Sequence, residues 1–522
     1  MGEDSGENAI LVETHGQLNG LYTALTYCWG SGVSVKTTSR TLEEMKSGIE
    51  ISRLPLAFRE CFKITKHLGL RFTWIDALCI VQDSAEDWEK ESTRMSDIYE
   101  NAFLTIAAAS SSSAGETFLG SCKQGKLFSL ACVTDDGNPT MVMARAQPQS
   151  GFHPGSMGTG PPDPWDRRAW TLQERVASSR LISFSSSEAQ WTCRTRMACE
   201  CREAELHSHK LEHASVSSIT YPPEAFKFWQ SIVSNYSMRS LSDNLDKLPA
   251  ISGIANTIQR RTKSQYIAGI WMDNAISDLC WCRATVAMEG IPPHTAPSTY
   301  RAPSFSWASI DGYVYFIHNN SSASFSPKTI VLNATVNVIG HNPYGRVRSG
   351  SIKLHGPLFP GQLNKAHPSH RNNRRFYEAG FLGIKCSLIA DLELFQTSFQ
   401  SPGGWEQSAC RPRFDKSSML RRQTFQNHLE TPSSRSITDP QIASSGENTF
   451  LEPLASDIPC WFLYLGVQNW ESGRARHIFL ALGKTFRSPQ EYERIGLVME
   501  ICEKESDWPL VGDENIVTVT VV

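Results

Sequence analysis

The sequence has no surplus of charge of either sign: 50 Lys and Arg stand against 53 Asp and Glu, a formal net charge of −3. A nucleic-acid binder is expected to carry a basic stripe, and an acidic partner arm a run of carboxylates. Neither pattern is present, so neither class is expected. No run of about 18 apolar residues occurs, so no membrane span is expected. The opening residues Met1-Gly2-Glu3-Asp4-Ser5-Gly6-Glu7 lack the basic and apolar regions of a secretory or mitochondrial leader. The chain therefore reads as soluble and cytoplasmic.

Other absences narrow the chemistry. The 14 cysteines form no array, and Cys28, Cys61, Cys79, Cys132, Cys386 and Cys460 sit inside apolar runs, as buried thiols do in a reducing compartment. Cys193, Cys199 and Cys201 precede His207, His209 and His213, but a paired C-x2-C is missing, so no metal site is expected. The sequence contains no G-x-x-x-x-G-K-[ST], G-x-G-x-x-G, H-E-x-x-H or G-x-S-x-G. A P-loop ATPase, a Rossmann dehydrogenase, a zincin and a standard serine hydrolase are thereby disfavoured. There is no internal repeat.

What is present is ample core material: 40% hydrophobic residues, with 14 Trp and 24 Phe, in 522 residues that need two or three domains. The first ~110 residues alternate strand and helix patterns, which predicts an α/β unit with parallel strands. Ala9–Glu13 and Tyr22–Trp29 read as strands. Leu54–Leu68 reads as an amphipathic helix with Leu54, Phe58, Cys61, Phe62, Thr65 and Leu68 on one face. The apolar run Phe72–Ile80 predicts a central buried strand, followed by a helix over 86–101 and a strand at Phe103–Ala108. Strands at Leu127–Val133 and Thr140–Ala144 precede residues 146–165, where five Pro and four Gly predict a mobile loop or lid. The domain reading is an α/β domain over 9–215, a helical connecting region over 216–300, and a β-rich region over 301–522. Residues 400–450, rich in Ser, Pro, Gln and Arg, read as a disordered loop within the last.

Three blocks carry a resemblance. They are Tyr22-Thr23-Ala24-Leu25-Thr26-Tyr27-Cys28-Trp29-Gly30; the run from Trp74-Ile75-Asp76-Ala77-Leu78-Cys79-Ile80-Val81-Gln82-Asp83 to Met95-Ser96-Asp97-Ile98-Tyr99-Glu100-Asn101-Ala102; and Arg168-Ala169-Trp170-Thr171-Leu172-Gln173-Glu174-Arg175. In order and spacing they resemble the core of the fungal HET domain, the heterokaryon incompatibility family. Asp246-Lys247-Leu248-Pro249-Ala250 and Tyr300–Ser309 resemble, less specifically, later regions of long family members. The resemblance implies a role in non-self recognition and in triggering programmed cell death, acting through a protein partner or self-association. HET domains have also been likened to TIR domains, which share a parallel α/β sheet and in some members cleave NAD. On that analogy the domain is TIR-like in fold, NAD is the candidate substrate, and no other cofactor is implied. A third reading, recruitment to a secondary-metabolite pathway, has no residue that argues for it.

The candidate site residues follow from polarity in apolar settings. Glu91 lies on the apolar face of the helix 86–101, three residues after Trp88 and four before Met95, with Asp87 one turn earlier. A carboxylate there costs several kcal/mol unless it is paired or used. Pairing with Arg168 or Arg175 is the structural alternative to catalysis. Asp76 interrupts the run Phe72–Ile80 and reads either as a catalytic acid near a strand end or as a backbone cap. Arg168, Gln173, Glu174 and Arg175 form a polar cluster, read as a network that locks the third block onto the sheet or as a ligand-binding set. Trp29 and Trp74 read as core residues or as stacking platforms. Cys79 reads as core.

Overall fold

The computed structural model describes residues 8–14, 20–31, 35–120, 127–145, 162–200, 221–284, 294–317, 323–365, 377–392, 394–400, 406–412, 450–453, 458–485, 488, 490–503 and 515–522. The chain divides into two compact units. Unit 1 is Met1–Ala225, Arg239–Leu241 and Pro249–Arg261; unit 2 is Phe226–Met238, Ser242–Leu248 and Thr262–Val522.

Unit 1 is built on a six-stranded sheet. Its first strand, β1 (Tyr22–Thr26), leads to helix α1 (Leu56–His67) and strand β2 (Phe72–Trp74). A helical turn, α2 (Asp76–Cys79), and the long helix α3 (Ala85–Asn101) then lead to β3 (Leu104–Ala107). Strands β4 (Leu127–Val133) and β5 (Pro139–Arg145) form a separate hairpin. Helix α4 (Trp170–Ala177) is followed by β6 (Arg180–Phe184), β7 (Ala189–Cys193) and β8 (Met197–Cys199). The spatial order is β8-β7-β6-β3-β1-β2. Strands β2, β1, β3 and β6 run parallel, and β7 and β8 are added antiparallel.

The local chemistry explains these elements. Helix α1 buries Ala57, Phe58, Cys61 and Thr65 and begins just after Pro55. It ends where Gly69, at φ 71°, lets Leu70 N–H bond to Thr65 C=O and Gly69 N–H to Lys66 C=O. Helix α3 starts at Ser84, whose side chain accepts from Asp87 N–H at 3.2 Å. Strands β1 and β3 carry nearly unbroken apolar or threonine surface. Ala24, Leu25, Ile106 and Ala107 are fully buried, as expected of strands covered on both faces.

One expectation is overturned here. Phe72–Ile80 is not a central strand: its extended part stops at Trp74 and pairs with β1 at the edge of the sheet. The backbone turns at Asp76, whose carboxylate accepts from Ala77 N–H at 2.7 Å. Ile75, Ala77 and Leu78 still enter the core with Phe58 and Ile106, but the last two do so from α2. The apolar run reported burial correctly, while its length suggested the wrong element. The expected strand at Ala9–Glu13 shrinks to Asn8–Ala9, paired with Ile49–Glu50. The expected lid falls mostly on 146–161, outside the described residues. Its end, Trp165–Arg167, is a short 3-10 turn.

Helices α5 (Pro222–Ser237) and α6 (Ser252–Thr262) occupy the expected helical region. That region is not helical throughout: Tyr266–Ile267 pairs with Ile270–Trp271, and Trp281–Arg283 with Val314–Phe316. In unit 2, β9 (Ser324–Pro327) and β10 (Ile330–Val338) precede the 19-residue β11 (Val347–Lys365). Then come β12 (Tyr377–Phe381), β13 (Ile384–Ala390), β14 (Ile458–Asn469), β15 (Ala475–Lys484), β16 (Glu491–Cys502) and β17 (Ile516–Val521). Strands β11, β12, β13, β16, β15 and β14 pair antiparallel in that order, and β14 returns to β11, closing a barrel. Phe359, Phe381, Phe462 and Phe479 fill it, with Phe381 and Phe462 stacked at 4.3 Å.

Most of the stretch expected to be disordered lies outside the described residues. Glu406–Pro412 corrects that expectation, because it forms an edge strand beside Leu394–Gln400 in a three-stranded sheet that also holds Phe450–Pro453.

Candidate functional site

The parallel strands are arranged so that β1 and β3 are neighbours while their connections leave to opposite sides. Such a switch point opens a crevice at the carboxyl ends of the strands, where ligands bind in open α/β sheets. Thr26, opposite Ala107, is the last residue of β1 there. Its hydroxyl donates to Glu174 and accepts from Trp165 Nε1 at 2.6 Å. Glu174, on α4, is 6% exposed, and Trp165 is fully buried. Burial, helped by the charge of Asp76, pushes the Glu174 carboxyl up to about 7 against the opposing effects of Thr26, Arg168 and Tyr99.

Asp76 is the second acid. It accepts from Trp29 Nε1 at 2.7 Å as well as from Ala77 N–H. The residue keeps some accessible surface, yet protein crowds its carboxyl, and desolvation raises its pKa against the opposing bonds from Trp29, Tyr27 and Ala77. Tyr27 is buried and its hydroxyl lacks a well-formed hydrogen bond, although it faces Asp76 closely enough that the carboxylate holds the phenol pKa up. Tyr99, also buried, donates to Leu25 C=O at 3.1 Å and lies in the field of both acids.

Arg168 supplies the positive charge. Its field lowers the pKa of Asp76, Glu174 and Cys28, and its guanidinium reaches the Cys28 thiol. Among the described residues it closes no ion pair within 4.0 Å. Its backbone is held in place: Arg239 Nη1 donates to Arg168 C=O at 3.2 Å, and Ala169 N–H to Ser240 C=O at 2.9 Å. The result is two desolvated carboxyls with a cation beside them at the end of a parallel sheet. Glu174, drawn near neutrality beside a second desolvated carboxyl and a cation, can take up or give a proton close to neutral pH, an arrangement suited to general acid–base work.

The structure brings together four of the residues expected from sequence: Asp76, Glu174, Arg168 and Trp29. It places the others elsewhere. Glu91 is mostly buried, as the helical pattern implied, but it pairs with Arg94 of its own helix at 3.1 Å rather than with Arg168 or Arg175. Asp87 accepts from Val81 N–H at 2.8 Å and so fixes the entry to α3. Trp74 packs edge-on against Tyr99, ring centres 5.5 Å apart. Gln173 accepts from Gly253 N–H at 2.8 Å. Arg175 lies over the Trp165 ring at 5.3 Å and pairs with Asp166 at 2.9 Å, locking α4 to the turn before it. Cys79 is desolvated, which pushes its thiol up to about 12.

Thr26, Tyr27, Tyr99 and Trp165 were not singled out from sequence. Thr26, Tyr27 and Tyr99 belong to the family-like blocks, and a threonine ending a buried strand was the available signal. Trp165 follows a Pro-rich stretch and carried none. Among the described residues no three metal-ligating side chains come together; Cys193 and Cys199 end β7 and β8, and Cys201 and the three histidines lie outside the described residues. No helix among the described residues is long and apolar enough to cross a membrane.

No curated protein and no solved structure matches the chain. A family model does match: residues 22–174 fit the one described as Heterokaryon incompatibility protein (HET), so the chain carries a HET domain over the segment that builds the acid pair.

Proposed function

We propose that this chain acts in fungal non-self recognition, its HET domain triggering cell death after fusion of incompatible cells. The observation that carries the reading is that the matched segment contains Thr26, Asp76, Trp165, Arg168 and Glu174 together. These residues come from distant parts of that segment and meet around two desolvated acids. Expression in a fungal host tests it: the intact chain is toxic, and Glu174→Gln, which keeps the shape and removes the charge, abolishes toxicity at equal abundance. A variant that kills as well as the parent chain sinks the role assigned to the acid pair.

The position of Glu174 near neutrality favours a second reading, a TIR-like NAD glycohydrolase. In that reaction the bond from ribose to nicotinamide nitrogen breaks, its electron pair leaves with nicotinamide, and water adds to the ribose carbon with loss of a proton. The transition state resembles an oxocarbenium ion and is stabilised by a nearby carboxylate. Asp76 and Glu174 supply that carboxylate and the base that takes the proton from water, and Arg168 suits the pyrophosphate. Purified full-length chain incubated with NAD releases nicotinamide, and Glu174→Gln lowers the rate by about 100-fold or more. No release by the parent chain between pH 6 and 8 overturns this reading and leaves the first standing.

A further inference from the structure

Lys247 and Arg301 belong to the two later sequence segments, Asp246–Ala250 and Tyr300–Ser309, that take no part in the acid pair. Unit 2 brings the two side chains together, and both residues are 3% exposed. Long cationic side chains are seldom buried unless each is matched by a partner. Here the two share one carboxylate, Asp311, whose side chain keeps some access to solvent at 19% exposure.

Local structure holds both cations in place. Asp243 accepts from Leu245 N–H at 2.9 Å and starts the 3-10 turn Asn244–Lys247. Tyr236, on α5, donates its hydroxyl to Lys247 C=O at 2.8 Å, and the Lys247 ammonium lies 5.7 Å from the centre of the same tyrosine ring. Arg301 gives Nε to Ala308 C=O at 2.7 Å, and Nη1 both to Asn244 C=O at 3.2 Å and to Asp311 Oδ1 at 2.8 Å. Donors are nevertheless left over. Arg301 Nη2 is buried and has no acceptor among the described residues. Lys247 Nζ comes to 3.7 Å from the same Asp311 oxygen, beyond the range of an N–H···O bond. Desolvation and the charge of Arg301 lower its pKa to about 8 against the pull of Asp311, so it is mostly charged at neutral pH. Asp243 and Asp246 are engaged elsewhere, because Arg346 bonds both at 2.7 Å.

A buried donor without an acceptor calls for a further group at that place. Water would satisfy the N–H groups but leave two cations on one carboxylate. An anion with several oxygens answers both deficits at once. Arginine meets phosphate through a planar pair of N–H groups and lysine meets it as a point charge, so the two together suit a tetrahedral oxyanion. We propose that Lys247 Nζ and Arg301 Nη2 hold a phosphate group beside Asp311. Asp311 competes with it for the same two cations and so sets its affinity. Both cations are buried, which favours free inorganic phosphate over the phosphate of a nucleotide.

The proposal does not depend on the acid pair, whose residues belong to unit 1. Calorimetric titration of the full-length chain at pH 7 and constant ionic strength tests it. Inorganic phosphate binds once per chain with a dissociation constant below about 1 mM, and adenosine monophosphate binds about tenfold or more weakly. Lys247→Met keeps the stem against Tyr236 and removes the charge, which weakens phosphate by about tenfold or more. Asp311→Asn acts in the opposite direction: it removes the competing carboxylate and tightens phosphate by about tenfold. A purely structural ion-pair cluster predicts otherwise, with no phosphate binding and both variants melting lower in phosphate-free buffer. A parent chain that binds no phosphate overturns the proposal. So does equal affinity in the parent chain and Lys247→Met, or weaker binding by Asp311→Asn. Adenosine monophosphate binding as tightly as phosphate overturns the choice of the free ion.

Discussion

Glu174 shows how one side chain can hold a site and weaken a fold together. Its carboxyl is drawn up to about 7 because burial disfavours the charged form, and the nearby charge of Asp76 adds to this. An unfolded glutamate ionises near 4.5, so between about pH 4.5 and 7 the unfolded chain gives up a proton that the folded chain keeps. The contribution is fully present at low pH and is lost as pH rises through the folded value, a change of about 3 kcal/mol once above it. Asp76 is shifted in the same direction, so it adds to the slope. Glu174→Gln removes the titration. The melting temperature of unit 1, measured relative to the parent chain, should therefore rise between pH 5 and 7.5 as the parent loses ground. An unchanged difference across that range would mean the acid is ionised throughout and solvated by something else. Sequence gave both acids but not their pairing, because Asp76 and Glu174 lie in separate blocks and proximity depends on strand order. It also promoted Glu91, whose buried face the helical pattern identified correctly; the same spacing puts Arg94 three residues on, and that neighbour, rather than Arg168 or Arg175, reaches back to it.

At the scale of elements, the third block is fixed by close contact as much as by charge. Helix α6 begins at Ser252, and Gly253 gives its N–H to Gln173 on α4. A Cβ at Gly253 would stand 2.5 Å from Ser96 Cβ on α3 and 3.0 Å from Gln173 Oε1, so three helices meet where there is no room for a methyl group. Gly253→Ala should cost about 1–3 kcal/mol as the helices part. The expected readout is a lower urea midpoint with faster amide exchange in α3 and α4; an unaltered midpoint would show that the helices yield freely. Helices α1 and α3 and strands β1 and β3 were legible within a few residues, because their periodicity and caps agree. Two things were not. The apolar stretch after Phe72 could be a strand or a turn of helix at equal burial, and the backbone bond from Ala77 to Asp76 decided it. The barrel of unit 2 depends on β14 returning to β11 across more than 90 residues, and short alternating strands carry no record of such closure.

Two buried sites, one in each unit, handle charge in opposite ways, and this sets what each will tolerate. In unit 1 Arg168 stands beside two acids without closing an ion pair between described residues, whereas in unit 2 Arg494 is paired directly with a buried carboxylate. Arg494, on β16, is 1% exposed. It bonds Asp391 from Nε at 2.7 Å and from Nη2 at 3.2 Å, gives Nη1 to Leu279 C=O at 2.7 Å and Nη2 also to Trp281 C=O, and lies over the Trp281 ring at 3.5 Å. One guanidinium thus joins the barrel strand to the Leu279–Trp281 segment and to the end of β13. Removing it alone leaves Asp391 buried and uncompensated, a loss of about 3–5 kcal/mol. Replacing both partners with apolar residues of similar volume removes that penalty and leaves mainly the Leu279 and Trp281 carbonyls to be satisfied, about 1–3 kcal/mol. Arg494→Met should therefore destabilise unit 2 more than the double variant Arg494→Met with Asp391→Leu, read as amide exchange in β15 and β16. If the double variant is the less stable of the two, the pair contributes net stability rather than mutual neutralisation. The exchange rates in β1 and β3 should stay unchanged in both variants, since every group named here belongs to unit 2.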